Sequence, residues 1–133
     1  LVGKWKEPRK PLAAIALTTD TSALTASGND FGYMDVFQRQ VFALGKPGDV
    51  LIGISTSGKS KNVWSAMAAA ANMGLHVIFL ASGEGEIRSA TAILDTPAAI
   101  KINVPSTSTP RIQEAHEFIL HCYAEALDRW ATS

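Results

Sequence analysis

The sequence predicts an α/β sandwich around a parallel sheet, and three observations carry that reading. Short apolar runs of strand length stand at residues 12–17 (LAAIAL), 50–54 (VLIGI), 76–81 (HVIFLA) and 100–104 (IKINV). Segments with helical spacing of apolar residues separate them, and strands alternating with helices build parallel sheets covered by helices. The run at 50–54 shows no apolar–polar alternation, as expected of a strand buried on both faces. Ligands of such sheets collect beyond the carboxyl ends of the strands. The segments after Leu17, Ile54 and Val104 are expected to open toward that edge.

Taken in order, residues 1–5 (LVGKW) carry no initiator methionine and read as the tail of a preceding element. Residues 4–11 (KWKEPRKP) are a charged, proline-punctuated connector expected to be solvated. Residues 18–29 (TTDTSALTASGN) read as a polar loop, long for a mere connection. Long ordered loops at strand ends are where sites tend to lie. Asn29 or Asp30 can cap a helix over residues 33–44, where Met34, Phe37, Val41 and Leu44 follow helical spacing. Gly45-Lys46-Pro47-Gly48 stops it.

Residues 48–74 are the segment that the rest of the chain serves. The strand at 50–54 runs into Ser55-Thr56-Ser57-Gly58-Lys59-Ser60, and an Ala-rich helix over 62–73 follows, ended by Gly74. A helix start has unpaired N–H groups and a partial positive charge. Hydroxyls in the same turn add donors, and Lys59 and Lys61 add charge. The turn suits an anion, and a phosphate ester above all. The plainer alternative is a serine-rich turn with Ser60 as N-cap. Residues 53–60 (GISTSGKS) also match the letters of a nucleotide-binding P-loop. Gly53 falls inside the strand rather than in the loop, so the nucleotide reading carries little weight.

Beyond the centre, His76 begins the strand at 76–81 and reads as structural. A turn at 82–85, a short helix at 86–92 and a last strand at 100–104, ended by Pro105, follow. Thr109 fits the N-cap and Pro110 the first position of a final helix. Its apolar stripe is Ile112, Ile119, Tyr123, Leu127 and Trp130, broadened by Phe118 and Leu120. His116 falls on the stripe and reads as a packed or interface histidine. Gln113, Glu117 and His121, four residues apart, form a polar ridge beside it. A histidine titrates near neutral pH and can move protons or bind metal. A solvated or subunit-facing ridge explains the same spacing.

At 133 residues the chain is one domain. Its apolar fraction of 47% and charged fraction of 18% describe a globular protein. Twelve basic and twelve acidic residues cancel, which leaves no net-charge footprint for nucleic acid or an anionic membrane. No apolar run reaches membrane-spanning length, and no signal peptide is visible. The single cysteine, Cys122, excludes an intrachain disulfide, suits a reducing cytoplasm and is expected to pack in an apolar helix.

Three stretches, GISTSGKSKNV, TTDTSALTASGNDFGYMDVFQRQVFALGKPGDV and TPRIQEAHEFILH, closely resemble the phosphoheptose isomerases of the SIS (sugar isomerase) family. The resemblance runs in order from Leu1 to about Arg129. It implies a single SIS domain over residues 1–133: a three-layer αβα sandwich with a parallel, flavodoxin-like, five-stranded sheet. It also implies a cytoplasmic homotetramer with active sites at subunit interfaces. The implied reaction converts a phosphorylated seven-carbon sugar, sedoheptulose 7-phosphate, to D-glycero-D-manno-heptose 7-phosphate, an early step toward bacterial lipopolysaccharide heptose.

Carried over by position, Ser55, Thr56, Ser57 and Ser60 would bind the phosphate end, and Asn29 and Asp30 the sugar chain. Gln113 would contact substrate and a zinc ion, and His121 would be a zinc ligand and acid/base group. Lys59 stands where the family's turn, Ser-Thr-Ser-Gly-Asn-Ser, has asparagine; every hydroxyl is kept. Eight residues of helix rise about 12 Å, so Gln113 and His121 reach one ion through a loosened first turn or from different subunits. In the family, leading helices, a first strand, an Asn-Gly-Gly-Ser turn and a helix bearing a histidine and the catalytic glutamate precede the position of Leu1. The resemblance implies that these 133 residues alone do not isomerise the sugar. The alternative is a non-catalytic SIS protein, either a sugar-phosphate-binding regulator or a relative of the protein that associates with the DnaA initiator. Those relatives share the serine turn and the RIQE run but tend to lose the later histidine, so His121 favours the enzyme.

Overall fold

The computed structural model describes residues 1–82 and 91–133. Among them the order is α1 (Thr21–Phe31), α2 (Gln38–Leu44), β1 (Val50–Ser55), α3 (Lys61–Asn72), β2 (His76–Ser82), α4 (Thr91–Leu94), β3 (Ala99–Val104) and α5 (Thr109–Thr132). The three strands lie side by side in the order β1-β2-β3, both pairings parallel. Leu51 pairs with Val77 and Val77 with Ala99, and residues two apart along each strand share a face.

One face carries the core. Val77, Phe79 and Ala81 of β2 pack with Trp64, Ala66, Met67, Ala69 and Ala70 of α3. Gly53 makes this close approach possible, because a β-carbon there would lie 2.8 Å from Met67 Sδ and 3.0 Å from Val63 Cγ1. Leu80 and Ser82 are buried on the opposite face, where α5 meets β2 and β3. Helix, sheet and helix form the three layers of the αβα sandwich.

The central strand, the α3 helix and the strands before and after α4 stand as the sequence predicts. Other elements differ. Burial of β1 is one-sided: Val50, Ile52 and Ile54 are 55%, 39% and 43% exposed, because α5 covers mainly the β2–β3 side. Residues 12–17 form no strand, and Ile15 is exposed. A strand needs a neighbouring backbone to pair with, and this run has no ladder partner among the described residues; Leu12 N–H instead meets the Leu1 carbonyl at 3.3 Å.

The loop expected at 18–29 is largely helix α1. Asp20, rather than Asn29 or Asp30, provides a helix cap, its carboxylate accepting the Ala23 N–H at 2.9 Å. The Thr25 hydroxyl donates to the Thr21 carbonyl at 2.8 Å, so a residue type that favours turns satisfies itself inside the helix. Gly32, at φ +92°, ends α1. The next helix therefore starts at Gln38 instead of residue 33, with no side-chain cap at Phe37. Of the helix expected at 86–92, α4 begins at Thr91; the remainder, and the turn past Ser82, lie outside the described residues.

Ser108, not Thr109, is the N-cap of α5, and Pro110 stays in its first turn. The stripe is buried at Ile112 and His116, whereas Phe118, Leu127 and Trp130 are exposed. Cys122 is exposed too. The connector is not simply solvated. Arg9 Nε meets Asp128 Oδ1 at 2.7 Å with both side chains buried. The Lys6 and Glu7 amides donate to Asp128 Oδ2 at 3.4 and 3.3 Å, which straps the connector to α5.

Candidate functional site

The turn at the carboxyl end of β1 is built from its own hydrogen bonds. Ser55 is buried, and its hydroxyl lies 2.9 Å from that of Ser60. The Gly58 amide donates to the Ser55 carbonyl at 3.1 Å. Gly58 sits at φ +67°, where a side chain would be strained. The Lys59 amide donates to Ser57 Oγ at 3.2 Å. Ser60 occupies the N-cap of α3 without a side-chain cap bond, and the Lys61 and Asn62 amides find no acceptor among the described residues. Thr56 is half-buried, and Ser57 and Lys59 are exposed. Ser55 and Ser60 share one hydrogen bond, so one of their two hydroxyl protons is left to donate elsewhere. Open amides, hydroxyls and the positive end of a helix are groups that suit an anion.

None of the other expected site residues hydrogen-bonds to this turn among the described residues. Asn29 and Asp30 are exposed in the last turn of α1, where the Asn29 amide donates to the Asp30 carboxylate at 2.8 Å. Gln113 and His121 are exposed on α5. That helix is continuous from Thr109, so Gln113 stands beyond any loosened first turn. His121 lies about 18 Å along the helix from Thr109, beside the Trp5 ring at 5.1 Å. His116 is buried with Nε2 3.3 Å from the Ala81 carbonyl, the packing role its position predicts.

Within one chain the two zinc candidates do not fit one ion. Ligand atoms sit about 2.0–2.2 Å from zinc, against about 12 Å of helix rise between these residues. Among the described residues no group of three His, Cys, Asp or Glu side chains gathers to hold a metal. Sequence reasoning missed Trp5, Trp64 and Arg9. Trp64 acts through a side chain that reaches back to the Gly58 carbonyl, and the other two contact α5 from more than a hundred residues away; no local spacing reveals any of them.

The SIS domain family matches residues 2–82. The chain belongs to the SIS domain family. This SIS domain is 48% identical over 129 residues to a phosphoheptose isomerase of Geotalea daltonii, covering 97% of the chain and 64% of the relative. It is 49% identical over 128 residues to one of Bordetella avium, covering 96% and 64%. The chain thus spans a little under two thirds of the length of these curated relatives. Its fold is similar to the structure of a phosphoheptose isomerase from Francisella tularensis, with TM-score 0.88 and 38% identity over 97% of this chain and 66% of that one. The phosphoheptose isomerase structure from Neisseria gonorrhoeae gives TM-score 0.83 and 50% identity over 90% and 63%.

Proposed function

We propose that this SIS domain is the phosphate-binding and proton-shuttling part of an isomerase that converts sedoheptulose 7-phosphate to D-glycero-D-manno-heptose 7-phosphate. The observation that carries the reading is the turn from Ser55 to Ser60, with its hydroxyls and a left-handed glycine leading into two open helix amides. The name shared by the relatives supports the same substrate class.

In this reading the Lys61 and Asn62 amides and the Thr56 and Ser57 hydroxyls hold the phosphate dianion, and the Ser55–Ser60 pair adds its spare proton. Gripping the ester fixes the carbonyl end of the sugar, with Asn29, Asp30 and Gln113 as contacts along the chain. Aldose–ketose exchange moves a proton between adjacent carbons through an enediolate. A carboxylate of the assembled enzyme takes the carbon-bound proton, and His121 passes a proton between the two oxygens. Zinc, if bound, would polarise the carbonyl; it would take His121 and Gln113 from different copies.

Exposed surface supports an assembly. The chain exposes 8514 Å², about 1,800 Å² more than a compact monomer of its mass. Phe118 and Trp130 of α5 and Val50 and Ile100 of the sheet contribute to it. We read the assembly as a homotetramer, cytoplasmic, with no nucleic-acid partner. Among the described residues no helix is long and apolar enough to cross a membrane.

Isomerase kinetics on the full-length protein test the proposal. Ser57→Ala should raise KM by about tenfold, the loss of a hydrogen bond to a charged group. His121→Asn should lower kcat by about 100-fold or more, as removal of an acid/base group does. Sugar-phosphate binding with no turnover in the full-length protein would sink the isomerase and favour a regulatory SIS protein.

A further inference from the structure

Trp64, a residue outside the hydroxyl turn, has a side chain that reaches back into it. Its indole N–H donates to the Gly58 carbonyl at 2.8 Å in a buried bond. Its ring packs on Phe79 with centres 4.8 Å apart, and only 8% of the residue is exposed. The Gly58 carbonyl is an acceptor in a sensitive place. It lies three residues before Lys61 and four before Asn62, the spacings of 3₁₀ and α-helical bonds. Left free, it can take either amide and extend α3 backward over the turn. Both amides would then be closed to an anion.

The remaining amides of the first turn are already committed. Val63 N–H goes to Asn62 Oδ1 at 3.0 Å, and Trp64 N–H to the Ser60 carbonyl at 3.1 Å. The indole therefore holds the one carbonyl whose spacing suits both the Lys61 and the Asn62 amide.

We infer that Trp64 is a positioning residue for anion binding: by occupying the Gly58 carbonyl it keeps the Lys61 and Asn62 amides open to a phosphate ester. The inference rests on the reading of the turn as a phosphate site. It concerns affinity for the ester, not the proton transfers at the far end of the sugar.

Trp64→Phe keeps a ring against Phe79 and removes the donor. Inorganic phosphate titration and isomerase kinetics on the full-length protein should show the dissociation constant and KM rising about tenfold, the size of one buried hydrogen bond, with kcat changed less than about twofold. Phe79→Leu serves as the packing control: it should lower the melting temperature and leave the phosphate constant unchanged. If Trp64→Phe does not fold, exchange of the Trp64 indole proton in the native protein carries the test. Exchange should slow by about 100-fold at phosphate 100 times its dissociation constant, if opening of that bond abolishes binding. An unaltered phosphate constant in folded Trp64→Phe, or indole exchange indifferent to phosphate, overturns the inference while native binding leaves the turn's assignment standing. A native protein that binds no phosphate overturns both.

Discussion

The indole of Trp5 lies 5.1 Å, centre to centre, from the imidazole of His121, with the two planes inclined at 50°. A residue from the connector thus restrains an exposed histidine in the middle of α5. Aromatic pairs of this geometry contribute about 0.5–1.5 kcal/mol beyond their area. Trp5→Ala should lower the unfolding free energy by about 1 kcal/mol. It should also shift the His121 ring-proton resonances as the indole's ring current is lost. Urea denaturation and proton NMR read the two effects; unmoved His121 resonances would show that the rings do not meet.

The second anchor of the connector makes stability depend on pH. Burial alone would raise the Asp128 carboxyl, but the Arg9 guanidinium and the Glu7 and Lys6 amides outweigh it and hold it below the ordinary range. Glu125 is lowered in the same direction by hydrogen bonds from Lys6 and Arg129. A carboxyl whose folded pKa is depressed binds fewer protons folded than unfolded between its two pKa values, so stability rises with pH there. The contribution is complete above the ordinary carboxylate pKa, about 4, and drains away as pH falls through the depressed values. Arg9→Met should lower the urea midpoint at pH 7 and flatten its decline between pH 5 and 2. Equal slopes for Arg9→Met and the native protein would remove the ion pair from the account.

Gly53 provides a test of the core rather than of the site. A β-carbon at this position meets Met67 Sδ at 2.8 Å and Val63 Cγ1 at 3.0 Å. The methionine can turn aside, but a β-branched valine in a helix has little rotamer freedom. Gly53→Ala should therefore destabilise the domain by about 1–3 kcal/mol, the usual cost of overpacking, read as a lower urea midpoint. Phosphate affinity should stay as it is, since the glycine is two residues before Ser55 and inside the strand. A loss of phosphate binding without loss of stability would revive the nucleotide-loop reading of residues 53–60.

These cases show what the sequence can and cannot announce. The β1–α3–β2 unit was legible because its signals are local: an unbroken apolar run, a hydroxyl turn, an alanine-rich segment and Gly74 at φ +79° behind it. Residues 12–17 carry the same apolar signal, yet strand formation depends on a neighbouring backbone that composition does not reveal. Residues 21–31 looked like loop because Ser, Thr, Asn and Asp usually favour turns; the cap from Asp20 and the internal bond of Thr25 reverse that preference. The hydroxyls of the candidate site were identifiable as residue types in a turn. The Trp64–Gly58 bond was not, since a side chain reaching back to a carbonyl leaves no periodic trace. The Arg9–Asp128 pair spans 119 residues, beyond anything a local pattern records.

The same helix geometry that keeps Gln113 and His121 apart in one chain allows a test of a shared site. They stand on one continuous α5, about 12 Å apart along its axis, so an ion that touches both must take them from different copies. Gln113→Ala and His121→Asn proteins should each be nearly inactive alone. Co-expressed, the two can assemble so that a native His121 from one copy faces a native Gln113 from another. With random pairing about a quarter of such interfaces regain both groups, and activity should return to about that fraction of the native value. If both residues served one site within a single chain, every site in the mixture would still lack one of them. Activity would then stay at the level of the separate variants, and the shared site would be wrong.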